Sequence, residues 1–373
     1  MWFRQLVRFS SSFSSKDLKI RLTSSPKKKP ELNEKLLFGT ALTDHLLEIN
    51  WNETDGWDIP RIEPYHNFMI DPASSVLHYG TECFEGLKAY RTAKNNLLLF
   101  RPEMNMNRMK KSAAAVALPD FDSEELLKCI KELVKIEESW IPSKVGYSLY
   151  LRPTFFGSHA GLGVAKPRSA KLYTVCSTVG PYFPEGFKPI HLYCDDTIAR
   201  AFPGGSGDKK IGANYAPGIG HTAKLQSKGF NQILWLCNLY VSEAGTMNFF
   251  VFWHNKQGEK ELATCELDGT ILPGVTRDSI LTLARQWNEF KITEKKFTIY
   301  ELCDAINEGR VIEAFGAGTA CIVSPVNKLT FKDREYKIPI ALGNAGILTK
   351  RFQDEILKIQ YGEISHSYQH LVI

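Results

Sequence analysis

The chain predicts a mixed fold, α+β and α/β in character, divided into two domains. Short apolar or alternating runs recur along it with the length of strands, and between them lie segments of helical periodicity with start and stop signals. The stretch Pro181-Tyr182-Phe183-Pro184-Glu185-Gly186-Phe187-Lys188-Pro189 has the composition of a linker and splits the chain. With 373 residues, 43% of them hydrophobic, there is enough chain for two domains of ordinary size. The expected division is a leader over 1–30, a small α/β domain over 31–180, an interdomain linker over 181–189 and a large domain over 190–373.

In chain order the leader comes first. Met1 to Ser15 contains Arg4 and Arg8, apolar Trp2, Phe3, Leu6, Val7, Phe9 and Phe13, a serine run and no acid. That is the composition of a mitochondrial transit peptide, whereas a secretory signal needs a longer uninterrupted apolar core. The mitochondrial matrix is the expected location. No other segment approaches the eighteen or so uninterrupted apolar residues of a membrane span. Leu97 to Phe100 reads as a strand. Asp122 with Glu125 opens an amphipathic helix through Leu126, Ile130 and Val134. Lys171 to Cys176, Ile190 to Cys194 and Ile233 to Leu236 read as further strands. Thr298-Ile299-Tyr300-Glu301 is a capping box that opens a helix stopping near Gly309. Leu348, Phe352, Ile356 and Ile359 stripe a last helix that ends at Tyr361-Gly362.

The net charge of +5 is uneven. Residues 1–30 hold eight Lys/Arg against one acid, Asp17, which leaves 38 basic and 40 acidic residues, net −2, in the remainder. That body is nearly neutral and carries no nucleic-acid signature. The eight cysteines never form a Cys-x-x-Cys pair, which argues against a zinc site and against a disulfide framework. No metal is expected. Most of the cysteines, such as Cys237 beside Leu234-Trp235-Leu236, read as small buried hydrophobes.

Three segments carry chemistry. Lys210-Ile211-Gly212-Ala213-Asn214-Tyr215-Ala216 sets one lysine between a glycine-rich loop, Gly204 to Lys209, and a helix start at Ala216-Pro217. Val241-Ser242-Glu243-Ala244-Gly245-Thr246-Met247-Asn248 sets an acid between apolar strands, where it needs a partner. Phe315-Gly316-Ala317-Gly318-Thr319-Ala320-Cys321 has glycines that let main-chain N–H groups turn toward an anion.

Together these segments resemble the branched-chain amino-acid aminotransferases, the fold-type IV family that uses pyridoxal phosphate. The resemblance runs from about Phe38 to about Gly362. It passes through Leu36-Leu37-Phe38-Gly39, His78-Tyr79, Phe84-Glu85-Gly86-Leu87-Lys88-Ala89, Met106-Asn107-Arg108-Met109, Ser148-Leu149-Tyr150-Leu151-Arg152-Pro153 and Leu272-Pro273-Gly274-Val275 as well as the three segments above. It implies a branched-chain L-amino-acid transaminase of mitochondrial type, exchanging the amino group of leucine, isoleucine or valine with 2-oxoglutarate, and a homodimer. The alternatives are a D-amino-acid transaminase or an aminodeoxychorismate lyase on the same fold, and a non-catalytic pyridoxal-phosphate-binding protein.

The resemblance also assigns roles. Lys210 is the catalytic lysine that carries the cofactor and then works as general acid and base. Glu243 pairs with the ring nitrogen, which must stay protonated for the ring to serve as an electron sink. Arg108 binds the phosphate, with Thr246, Thr319 and the backbone N–H groups of Val275 and Thr276. Tyr215 bonds the ring hydroxyl. Phe38, Tyr79, Phe84 and Tyr150 form an aromatic wall for the branched side chain. Arg152 takes the side-chain carboxylate of glutamate, and the backbone near Thr319-Ala320 takes the substrate's α-carboxylate. Two departures stand out. Ala213 replaces a glycine of many relatives, which is tolerated if its φ is negative. Ser324 stands where mammalian members place the second of two cysteines, so Cys321 has no intramolecular thiol partner there.

Overall fold

From Ser169 to Cys176 half-buried and buried residues alternate, as a strand with one face on a core requires, and the strand Ser169–Val179 ends buried on both faces. This strand lies in the middle of the first of two sheets in the computed structural model, which describes residues 12–32, 36–182 and 186–373. The chain forms two units. The first gathers the described residues up to Gly180, together with Lys210–Gly212 and Gln360–Ile373. The second takes the described residues of Pro181–Lys209 and of Ala213–Ile359. Two short segments, Lys210–Gly212 and Gln360–Ile373, thus lie outside the unit in which a single cut near residue 181 puts them.

The first unit's sheet runs in the order Lys19–Ile20, Arg61–Pro64, Ala41–Asn52, Ser169–Val179, Ser148–Gly157, Leu87–Arg91, Leu97–Phe100 and Gln369–Leu371. Gly56–Trp57 and Glu82–Phe84 pair from the side. Neighbours are antiparallel except the first pair, which fits hairpin connections of short length. Two helices, Pro102–Ala115 and Ser123–Ile136, pack with this sheet into one core that includes Met109, Phe121, Ile130, Leu133 and Phe155. The second helix starts where its sequence demands. The Asp122 side chain accepts from the N–H groups of Glu124 and Glu125, and Leu126, Cys129, Ile130, Leu133 and Val134 make a buried stripe. Each such side chain contributes about 1.5–3 kcal/mol on full burial.

Residues 12–30, expected as part of a flexible leader, are instead built into this unit. Phe13 is buried with its ring edge-on to Trp57, centroids 5.1 Å apart. The Ser15 N–H donates to Glu125 at 2.6 Å. Lys19 and Ile20 pair with Arg61 and Ile62, and the Lys27 N–H donates to Asp44 at 2.7 Å. An aromatic residue in a basic leader can equally well be a core residue, and composition does not separate the two. Residues 1–11, with Arg4 and Arg8 of the expected transit peptide, lie outside the described residues. So do residues 183–185 of the expected linker.

The second unit's sheet follows the order Tyr240–Ala244, Gln232–Cys237, Ile190–Asp195, Ile322–Phe331, Val311–Gly318, Met247–His254, Lys260–Thr264 and Lys291–Glu294, with Arg334–Lys337 beside Ile322–Phe331. Tyr240–Ala244 also pairs with Met247–His254, so the path from one to the other closes into a ring. The closing pair is Glu243 opposite Asn248. The helix Ile299–Asn307 starts with the complete capping box of Thr298 and Glu301, and the last helix is Ile347–Gln360.

Candidate active site

Chemistry in the first unit gathers around the helix Pro102–Ala115. Asn105, Arg108 and Ser112 recur at intervals of three and four, so they share one helical face. Arg108 donates from Nε to Glu85 Oε1 at 2.7 Å and from Nη2 to Oε2 at 2.8 Å. Asn105 Nδ2 donates to the same Oε2 at 2.8 Å, as does the Gly86 N–H at 3.2 Å. Ser112 Oγ accepts the N–H of Lys210 at 2.8 Å. The lysine's carbonyl in turn accepts from the Phe84 N–H at 3.0 Å, and Ile211 bridges to Cys83. Lys210–Ile211 is therefore held as an extra edge beside the strand Glu82–Phe84. At Gly212, which follows, a Cβ would come within 2.0 Å of Glu82 Oε1, so a larger residue there requires the Glu82 side chain to move.

The Lys210 ammonium lies over the Phe84 ring, 4.8 Å from its centroid. Its pKa is lowered to about 8, first by burial and then by the charge of Arg108, against the raising effect of Glu85. The residue as a whole keeps part of its surface accessible, so the burial that matters is that of the amine end. Arg152 stacks over the same Phe84 ring at 4.8 Å, and its Nη2 donates to the Tyr150 hydroxyl at 3.0 Å. Arg152 Nε is buried and has no hydrogen-bond partner. Phe38 meets Tyr150 edge-on at 4.8 Å. Burial raises the Glu82 carboxyl above its ordinary value, opposed by the Gly212 N–H and the charge of Arg152.

Phe38, Phe84, Tyr150, Arg152, Arg108 and Lys210 are thus linked by contacts within this unit. Tyr79 is not. It ends the short helix Ser75–Tyr79, is exposed, and donates from its hydroxyl to the Leu162 carbonyl.

The other expected residues lie in the second unit. Glu243 is 2% exposed on the ring-closing strand. Its Oε2 pairs with Arg200 Nε at 2.9 Å, and its Oε1 accepts from the Leu272 N–H at 3.0 Å and Asn248 Nδ2 at 3.2 Å. The Arg200 guanidinium is 5.9 Å from the centroid of the Tyr215 ring. Tyr215 is the N-cap of the helix Ala216–Gln226. A cavity of about 310 Å³ is lined by Tyr215, Arg200, Thr246, Gln232 and Trp235 among others. Val275 and Thr276 open the helix Val275–Trp287, whose N-cap Gly274 has extended backbone and provides no side-chain cap. Thr319 and Ala320 form the turn between Val311–Gly318 and Ile322–Phe331. Ala213 lies in the turn Gly212–Asn214 without positive φ, as its tolerance requires. Cys321 Sγ lies 3.4 Å from Met247 Sδ. None of the eight cysteines is joined in a disulfide, and no cluster that could hold a metal occurs among the described residues.

Sequence reasoning passed over Glu85, Ser112, Arg200 and Asn248. Glu85 was inside a quoted motif, and an acid in an otherwise apolar strand end needs a partner just as Glu243 does. Arg200 gave no signal, since its loop has ordinary composition and only the fold brings it to Glu243.

The donor set fits pyridoxal phosphate. It has an amine that reaches its neutral form near pH 8, and a buried carboxylate of the kind a protonated ring nitrogen needs. A helix start without a side-chain cap and a buried arginine both suit a phosphate, while Arg152 keeps a buried donor, Nε, without a hydrogen-bond partner.

Comparison with known proteins agrees. The family described as Amino-transferase class IV matches residues 82–329. A branched-chain-amino-acid aminotransferase of Dictyostelium discoideum is 51% identical over 100% of this chain and 99% of its own length. A mitochondrial one of Rattus norvegicus is 46% identical over 96% and 92%, and a cytosolic one of Saccharomyces cerevisiae is 48% identical over 93% and 95%. A crystal structure of the T.th. branched-chain amino acid aminotransferase with pyridoxamine 5'-phosphate superposes with a TM-score of 0.69 at 27% identity, covering 87% of this chain and 98% of that one. The chain belongs to the class IV aminotransferases, within their branched-chain-amino-acid group, and its cofactor is pyridoxal phosphate.

Proposed function

We propose that the protein is a branched-chain L-amino-acid transaminase that exchanges the amino group of leucine, isoleucine or valine with 2-oxoglutarate. The observation that carries this reading is the buried amine of Lys210, with a pKa of about 8, over the ring of Phe84 that Arg152 also covers. When bound, pyridoxal phosphate supplies a ring that withdraws the electron pair of the substrate's α-C–H bond. Lys210 would hold the cofactor covalently, and its amine, when free, would take up and return the substrate's α-proton, a task for which an amine titrating near neutrality is suited. Glu243 takes the ring nitrogen and Tyr215 the ring hydroxyl. Arg108, Thr246, Thr319 and the N–H groups of Val275 and Thr276 take the phosphate.

Phe38, Phe84 and Tyr150 accept the aliphatic side chain against their rings, while Tyr79, exposed and bonded to the Leu162 carbonyl, stands apart from that wall. Arg152 receives the second carboxylate of glutamate or 2-oxoglutarate through donors that include its unpaired Nε. The backbone at Thr319-Ala320 receives the α-carboxylate. The assembly is a homodimer. Its support is the exposed apolar side chains Met69, Leu77, Leu162 and Val164 of the first unit, whose segments 74–79 and 160–162 are joined by the Ser74–Ala160 bridge and the Tyr79–Leu162 contact. The basic, acid-free composition of Met1 to Ser15 supports a mitochondrial location.

The test is the visible spectrum of the purified protein before and after L-leucine, with D-alanine in parallel. L-leucine converts the cofactor's visible band to the near-ultraviolet band of the aminated form, D-alanine does not, and Lys210→Ala loses turnover. A response to D-alanine alone assigns the protein to the D-specific enzymes, and full turnover in Lys210→Ala removes Lys210 from its role.

A further inference from the structure

Glu85 is the most deeply buried acid of the first unit's cluster, fully inaccessible, and the mechanism above gives it no task. It is nonetheless where most of that cluster's hydrogen bonds converge. Arg108 docks on it side-on through Nε and Nη2, and Asn105 Nδ2 and the Gly86 N–H share Oε2. Side-on docking fixes the plane of a guanidinium, and with it the direction of the Nη1 end. Asn105 and Arg108 sit one turn apart on the same helix, so the carboxylate also locks that helix face against the strand end at Phe84.

Charge gives the same acid a second duty. Lys210, Arg108 and Arg152 bring three cations to one site, and Glu85 offsets their mutual repulsion; the same charge opposes an arriving anion, so the loss expected on its removal is that of the aimed guanidinium in excess of this gain. A buried arginine without its carboxylate partner would be strongly destabilised and would seek other acceptors. We propose that Glu85 is a positioning residue for the phosphate of the cofactor: it acts through Arg108, aiming the guanidinium at the phosphate rather than touching the cofactor itself. This rests on the reading that Arg108 holds the phosphate. Its field also raises the pKa of the Lys210 amine, so its removal lowers that value further.

The experiment uses full-length protein freed of cofactor and measures the affinity for pyridoxal phosphate and for pyridoxal, which lacks the phosphate. Glu85→Gln, which keeps the shape and removes the charge, weakens pyridoxal phosphate by at least about tenfold and leaves pyridoxal within about twofold. In an Arg108→Gln background the same substitution adds nothing further, since the two residues act as one unit. Glu85→Asp, which keeps the charge but is one methylene short of spanning both donors, gives an intermediate loss and serves where Glu85→Gln fails to fold by circular dichroism. Equal loss of both compounds, no loss of either, or a full additional loss on top of Arg108→Gln overturns the proposal. A wild-type protein that binds both compounds equally instead overturns the assignment of Arg108 to the phosphate, and one that binds neither overturns the proposed function.

Discussion

At the residue scale the site is defined by two side chains whose surroundings contradict their ordinary chemistry. Lys210 is a lysine made readily neutral: burial and Arg108 lower its pKa to about 8, so the amine loses its proton as pH rises through that value rather than near 10.5. In protein freed of cofactor, labelling of Lys210 by an amine reagent, located by mass spectrometry, is expected to rise with a midpoint near pH 8. A midpoint about two units higher, in the ordinary lysine range, would mean that the amine is solvated. Arg152 is an arginine with a buried donor unpaired. Arg152→Ala removes the partner for a second carboxylate and is expected to raise KM for glutamate and 2-oxoglutarate by on the order of tenfold to hundredfold, while the half-reaction with leucine changes little. Equal losses for leucine and glutamate would deny it that role. Both residues were legible in the sequence because each sits in a motif with its neighbours. Arg200 was not, because nothing local distinguishes an arginine that reaches a buried glutamate from one that reaches water.

The elements divide the same way. Asp122 and Thr298 could be read as helix starts because capping is a local interaction, and the structure has both side chains accepting the expected N–H groups. The pairing of Lys210–Ile211 with Glu82–Phe84 could not, since so short an edge carries no periodicity and its partner lies far away in sequence. That pairing yields a prediction. Gly212→Ala places a methyl against Glu82 Oε1, so either the Glu82 side chain must turn away from the Gly212 N–H or the lysine segment must shift. Cofactor occupancy after purification is expected to fall, with the melting temperature lowered by only a few degrees. Unchanged occupancy would show that the close approach has slack. Ala213, one residue on, lies outside this constraint, which is why a methyl is harmless there.

For the whole molecule, the proposed homodimer is tested at the exposed apolar side chains of the first unit. Leu162→Glu puts a charge where 71% of the residue's surface is accessible, so it costs the isolated chain little and an interface much. Light scattering is expected to report a dimer for the native protein and a monomer for the variant. A dimer in both cases would place the interface elsewhere. The two-part division was legible from the proline-rich stretch, but the return of the chain end to the first unit was not, because strand pairing across such a separation leaves no trace in local composition. That return governs how the protein is made. Gln369–Leu371 pairs with Leu97–Phe100, Val372 enters the first core, and the Leu97 N–H is taken by the Ile373 carbonyl. Domains emerging from a ribosome ordinarily finish in the order of their synthesis. Here the half translated first cannot close its sheet until residue 373 has left the exit tunnel, so it waits with an open strand edge at Leu97–Phe100 while the half translated second completes its own sheet. A ribosome stalled near residue 360 would present that edge, and it is the place where a holding chaperone would be needed.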